Sequence, residues 1–241
     1  MPLGDGLVAL EAHLDTRTVA DLIAKTARWV DPETFRLLPL WYPEYARGAP
    51  LYNANWTVRR QSRNAATSEI RDKVEGNSWA NKALTKALGL ASAERPNWSC
   101  CHIWGIDDPS FVRPNLVVQD HRFFSCVGNM LLLPSPLKAF TDLMPDIKAM
   151  LRKCAAALYD WQCDHPELAS VAPSAFERAD YPEAWQGAAE GRIPGIVSLN
   201  ADIRRRAEER KAKIAKDISE AGEYYPRDRV MQALDYWRIQ L

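Results

Sequence analysis

The sequence predicts an α+β chain, mostly helical, in which one short strand, loop, strand and helix unit is embedded in a helical scaffold. Three observations predict this class. Apolar residues recur at helical spacing through most of the 241 residues. Strand-like apolar runs are confined to residues 97–134. The composition, 47% hydrophobic and 26% charged, supports an ordinary buried core and argues against disorder along the whole length. The chain divides into an N-terminal helical region (1–96), a strand-bearing core with its following helix (97–162), and a connector with C-terminal helices (163–241). It shows no internal repeat and no low-complexity tract.

In the N-terminal region, Leu10, Leu14, Val19, Leu22, Ile23 and Ala27 fall near helical spacing, with Asp15 or Thr16 capping a restart. Asp31-Pro32-Glu33 opens a short helix through Phe35, Leu37 and Leu38, closed by Pro39 and Pro43. Trp41, Tyr42, Tyr45, Tyr52 and Trp56 are expected to pack beneath loops rather than to stack on bases. Residues 59–73 carry Arg59, Arg60, Arg63, Arg71 and Lys73 against Glu69 and Asp72. That excess of three positive charges suits a solvated helix face or a surface that tracks phosphates. Glu75-Gly76-Asn77-Ser78 introduces a helix with Trp79, Ala83, Ala87 and Leu88 on its apolar side and Gly89 at its stop.

Ser99–Trp104, Leu116–Gln119 and Val127–Leu133 are the strand candidates, separated by turn-rich segments around Gly105-Ile106-Asp107-Asp108-Pro109 and Arg113-Pro114-Asn115. After Pro145, the residues Ile147, Met150, Leu151, Cys154, Leu158 and Trp161 form an apolar helical stripe. Residues 164–194 read as a connector. From Leu199 to Glu220 a polar helix carries Arg204, Arg205, Arg206, Arg210, Lys211, Lys213 and Lys216 against Asp202, Glu208, Glu209 and Asp217. Its few apolar residues, Ile203, Ala207, Ile214 and Ile218, place it at the surface or make it an arm facing DNA or a partner. A last helix begins at Pro226 and packs Val230, Leu234 and Trp237.

Charge and cysteine content narrow the function classes. With 31 basic and 31 acidic residues the net charge is zero, so any grip on nucleic acid must come from local patches. The five cysteines, Cys100, Cys101, Cys126, Cys154 and Cys163, are odd in number and lack zinc-binding spacing. A reducing cytoplasm is the expected compartment. Met1-Pro2-Leu3-Gly4-Asp5 lacks the basic start of a secretory signal, and no apolar run approaches the ~20 residues of a membrane span.

The residues with the most chemistry lie in the core region. Cys100-Cys101-His102-Ile103-Trp104-Gly105 puts a single His near a strand end. Twenty-seven positions later, Gly128-Asn129 opens Met130-Leu131-Leu132-Leu133-Pro134. Over residues 98–145 this order resembles the HNH, or ββα-metal, endonucleases. The resemblance implies a metal-dependent DNA endonuclease in which His102 is the base that activates water and Asn129 ties the intervening loop. The family's third signature residue falls on Lys138, whose ammonium has donors but no lone pair; its expected role is to hold the scissile phosphate. Cys101 stands where the family often has Asp, and a thiol is a poor ligand for a hard cation.

Asp142, four residues after Lys138 and on the same helical face, becomes the candidate oxygen ligand for Mg²⁺ or Mn²⁺, with His121 and Asp107 as further metal contacts. Candidate DNA contacts are Arg59, Arg60 and Arg63 before the motif, and Arg204, Arg205 and Arg206 after it. The implied partners are DNA and a protein of a restriction or anti-phage defence system, roles common in the family. Two other readings stay open. One is a helical adaptor without catalysis that binds a partner protein through 199–220. The other is a nucleic-acid binder that keeps an HNH-like fold without its metal ligands.

Overall fold

The computed structural model describes residue 4 and residues 6–105, 114–170 and 182–241. Helix α1 (Gly6–Glu11) is followed by α2 (Thr16–Thr26), whose cap Asp15 accepts a hydrogen bond from the Thr18 amide at 2.6 Å. Val19, Ala20, Ile23 and Ala24 of α2 are buried. After β1 (Trp29–Val30), Asp31 caps α3 (Pro32–Leu37) with Pro32 at its first turn. The second carboxylate oxygen of Asp31 accepts from the Leu199 amide at 3.0 Å, which ties the two ends of the chain together.

Residues 59–73 form an antiparallel hairpin, β2 (Gln61–Arg63) with β3 (Ile70–Asp72), and not a solvated helix face. Helix α4 (Ser78–Ala87) then runs to Gly89, whose φ of +69° gives the left-handed stop. The central ribbon pairs β4 (Trp98–His102) antiparallel to β5 (Met130–Pro134), with Cys100 opposite Leu132 and His102 opposite Met130. Between the strands, Leu116–Gln119 is not extended: Val117–Gln119 is a 3₁₀ turn, and Val127–Asn129 is a second one just before β5.

Helix α5 (Ser135–Leu143) follows β5 directly and lies against the ribbon, where the Cys101 thiol sits 3.1 Å from the Thr141 hydroxyl. Helix α6 (Pro145–Tyr159) packs its stripe from Ile147 to Leu158 into the core and ends at Asp160 in the left-handed conformation. After short 3₁₀ turns, β6 (Ile196–Val197) pairs parallel with β1. The chain closes with α7 (Ala201–Glu220), capped by Asn200, and α8 (Arg227–Tyr236). The molecule is α+β and mostly helical. No described helix is long and apolar enough to cross a membrane.

One core joins all three sequence regions. Trp29, Leu38, Leu84, Leu131, Ile147 and Ala207 belong to the same buried cluster. The ribbon is covered on both faces: Met130 to Leu133 are all buried, as are both Cys100 and Cys101. Burial pushes the Cys100 thiol up to about 12, so it is an inert apolar group at neutral pH. Helix α7 lies at the surface, one of the two placements expected for it, with a single stripe seated in the fold. Ile203, Ala207 and Ile214 fall along one stripe and are fully buried. The aromatic residues pack together as expected, with Tyr45 stacked on Trp79 at 4.1 Å and Tyr52 tilted against Trp56 at 5.5 Å.

Gly195 is where the connector meets the first strand. Its carbonyl accepts from the Trp29 amide at 2.9 Å, its φ is +79°, and a Cβ there would lie 1.9 Å from the Ala27 carbonyl oxygen. Gly195→Ala is expected to lower the unfolding free energy by roughly 2–4 kcal/mol, through both the φ and the backbone clash. Urea denaturation measures it. A variant with an unchanged midpoint and slope would show that the connector does not pack on β1 in this way.

Candidate active site

The ends of β4 and β5 are locked by one side chain. Asn129 is fully buried; its Oδ1 accepts from the Trp104 amide at 2.7 Å and its Nδ2 donates to the Phe123 carbonyl at 3.0 Å. Its backbone carbonyl accepts from the Ile103 amide at 2.8 Å. Asn129 therefore fastens the turn 120–126 to the strand end that carries His102. The turn is built by Asp120, whose carboxylate accepts from the Arg122 amide and guanidinium, and whose backbone carbonyl accepts from the amides of Phe123 and Phe124. Burial acts to raise the Asp120 pKa, but the Arg122 bonds outweigh it and hold the carboxyl below its usual range.

The same turn sets the His102 ring. Nε2 lies 2.9 Å from the Phe124 carbonyl oxygen, which can only accept, so Nε2 carries a proton, and in the neutral form of the ring the lone pair is on Nδ1. The ring also stacks on Phe124 at 5.9 Å. A half-buried imidazole with a fixed tautomer is the form a general base needs.

Two cations from α6 hold the carbonyls at this strand end. Lys148 Nζ donates to the His102 carbonyl at 2.9 Å; Arg152 donates to the carbonyls of Ile103, at 3.3 Å, and Gly105. Sequence reasoning missed both residues. Their spacing of four puts them on one face beside the apolar stripe of α6, which is the signal available in the sequence.

The proposed metal ligands are not brought together. Asp142 is paired with Lys138, and its other oxygen lies 3.9 Å from Lys148 Nζ. A carboxylate beside two ammonium groups is a poor seat for a divalent cation, and Lys138 offers only donors. The Cys101 thiol is buried against Thr141. His121 sits elsewhere, its Nδ1 donating to the Pro43 carbonyl at 2.8 Å, beside an open cleft of about 680 Å³ that Asp120 and His165 also line. Among the described residues no three His, Cys, Asp or Glu side chains gather as a metal shell. Asp107 lies outside the described residues. The described donors therefore do not fit a hard divalent ion at Asp142.

Comparison with protein-family models, with curated proteins and with solved structures finds no match. The site rests on its own geometry.

The two arginine clusters are placed very differently. In α7, Arg205 pairs with Asp202 and Glu209, while Arg206 pairs with Asp202 and donates to the Leu90 carbonyl at 3.1 Å. Arg210 is drawn inward, where it pairs with the buried Glu44, donates to the Trp41 carbonyl at 2.6 Å and covers the Tyr42 ring at 4.5 Å. Arg204 is exposed on the outer side of α7. Arg59, Arg60 and Arg63 lie on the exposed hairpin.

Burial lowers the His121 pKa from its ordinary 6.5, against the raising effect of the Pro43 carbonyl. The folded protein thus binds this proton less readily than the unfolded chain does. The stability held by neutral His121 is complete above pH 6.5 and is lost as pH falls from there toward the lower folded value. Wild type should lose unfolding free energy between about pH 7.5 and about pH 5.5, and His121→Asn, which keeps a donor for Pro43, should lose less. Urea midpoints at the two pH values check this. Equal losses in both proteins would assign the pH dependence to other groups.

Proposed function

We propose that this chain is a nucleic-acid phosphodiester hydrolase of HNH-like, ββα type, with His102 as its general base. The observation that carries the reading is the pair of hydrogen bonds that the Asn129 amide makes with Trp104 and Phe123, which fixes the turn whose Phe124 carbonyl accepts from His102 Nε2. The order of strand, loop, Asn, strand and helix is the one the resemblance implies, and the helix α5 lies against the strand that bears the base.

In this reading Nδ1 takes a proton from water as the water oxygen bonds to phosphorus, and the bond to the leaving oxygen breaks. Lys138, on the exposed side of α5 with Asp142, is the proposed phosphate contact. DNA is the expected substrate and a defence or restriction role the expected setting, both carried by the resemblance alone. A divalent ion, Mg²⁺ or Mn²⁺, is expected on the same ground, and no step is assigned to it because the described donors do not fit one.

A second reading is favoured by the Lys138, Asp142 and Lys148 grouping: a nucleic-acid binder in which ammonium groups stand where a metal shell would be, without hydrolysis. Plasmid relaxation separates the two. Wild-type protein should nick or linearise supercoiled DNA, and His102→Ala should slow this by roughly 10²–10⁴-fold with its unfolding midpoint retained. Lanes with Mg²⁺, Mn²⁺ and EDTA report the ion requirement. An equal rate in His102→Ala would remove His102 as the base, and no cleavage by wild type in any lane would favour the second reading.

A further inference from the structure

The hairpin β2–β3 has no packing role that explains its sequence. All six of its strand residues are exposed, so both faces of the ribbon meet solvent. An isolated two-stranded hairpin is marginally stable in water, and this one is anchored only at its base. There the Arg60 amide donates to Leu51, the Leu51 amide to Lys73 and the Lys73 amide to Arg60, each at 2.8 Å. Tyr52 buttresses the base from below, stacked on Tyr224 at 5.0 Å. Three large apolar side chains also stand in solvent here: Val58 at 59%, Ile70 at 55% and Val74 at 56% exposure. Exposed apolar groups interleaved with cations mark a contact surface.

The charges on this ribbon are not balanced. Its two acids are both engaged, Asp72 with Arg59 at 2.9 Å and Glu69 with Arg71 at 2.7 Å. Among the described residues, Arg60, Arg63 and Lys73 meet no carboxylate. In α7, by contrast, Arg205, Arg206, Arg210, Lys211, Lys213 and Lys216 each pair with an acid. The ribbon thus carries a local excess of three positive charges on exposed side chains in a chain of zero net charge.

We propose that the ribbon of residues 58–74 is a duplex-DNA-binding arm, with Arg60, Arg63 and Lys73 on phosphates and Ile70 and Val74 against the groove wall. The major groove of B-DNA admits a two-stranded β-ribbon. Arg60 and Arg63 are about 10 Å apart along the strand at ~3.3 Å per residue and, three residues apart, face opposite sides of the ribbon, Arg63 with Ile70 and Arg60 with Lys73, so they reach separate phosphates. The unmatched cations favour DNA over a protein partner, whose surface would have to supply several carboxylates to the same ribbon. The proposal rests on the nucleic-acid reading above but not on hydrolysis.

The test is fluorescence anisotropy of a labelled duplex with the full-length chain in EDTA, across a salt series. The triple variant Arg60→Ala, Arg63→Ala, Lys73→Ala alters only exposed side chains. It should bind more weakly, and its slope of log affinity against log salt should be shallower by about 2.7, since each of the three phosphates no longer neutralised takes ~0.9 from the slope. The charge-preserving triple variant Arg60→Lys, Arg63→Lys, Lys73→Arg should keep the wild-type slope. An unchanged slope in the Ala variant, or a wild-type protein that does not bind duplex, overturns the arm; cleavage that still depends on His102 would then leave the hydrolase standing. A shallower slope in a protein that never cleaves would do the reverse.

Discussion

The buried amide of Asn129 is the constraint on which the centre of this protein depends. A primary amide removed from water costs several kcal/mol unless its donors and acceptor are used, and here Oδ1 and Nδ2 bind two backbone groups from opposite sides of a long loop. Those two groups belong to Trp104, just past β4, and to Phe123, in the turn before β5. The amide therefore joins segments that the ribbon ladder alone does not reach. Next to it, Gly128 makes room for the Phe35 ring, since a Cβ there would lie 2.6 Å from it. With the turn fixed, the Phe124 carbonyl has one place to point, and the His102 ring takes its tautomer from it.

Several charged side chains of this protein work inside the fold. Lys148 and Arg152 spend their donors on carbonyls at the end of β4, and Arg210 crosses from α7 to the buried Glu44. A buried pair such as Arg210 with Glu44 adds little net stability over an apolar pair, yet it fixes how α7 sits against residues 41–45. Tyr225 donates to the same carboxylate at 3.4 Å and brings the start of α8 into the arrangement. The far end of α8 then props the turn, with the Trp237 indole donating to the Arg122 carbonyl at 2.8 Å. The helical scaffold thus bears on the site through named bonds.

Much of the helical framework was legible because its signals are local. Asp15, Asp31 with Pro32, Gly89 and Pro145 each act within a turn of where they stand, and the helices begin or end beside them. The order of His102, Asn129 and the apolar strand was legible for the same reason. The hairpin at 61–72 was not, because a ribbon exposed on both faces leaves no apolar alternation to read. Leu116-Val117-Val118 reads as a strand by composition, but both valines are buried in a 3₁₀ turn whose Val117 amide is taken by Glu167. Helix α7 looked too polar to bury, yet Ile203, Ala207 and Ile214 suffice to seat it when long charged side chains reach past them. The surroundings of Asp142 and His121 depend on Lys148 and Pro43, which only the tertiary fold brings beside them.

The proposed function turns on one property, that the turn held by Asn129 orients the His102 ring so that its neutral form has its lone pair on Nδ1. Nitrogen-15 NMR of the histidine side chains reads this directly, with His102→Gln used to assign the signals. In the neutral ring the proton is expected on Nε2, and Asn129→Ala is expected to leave the ring averaging between tautomers. A His102 ring protonated on Nδ1, or one whose signals do not change in Asn129→Ala, would contradict this role for the turn.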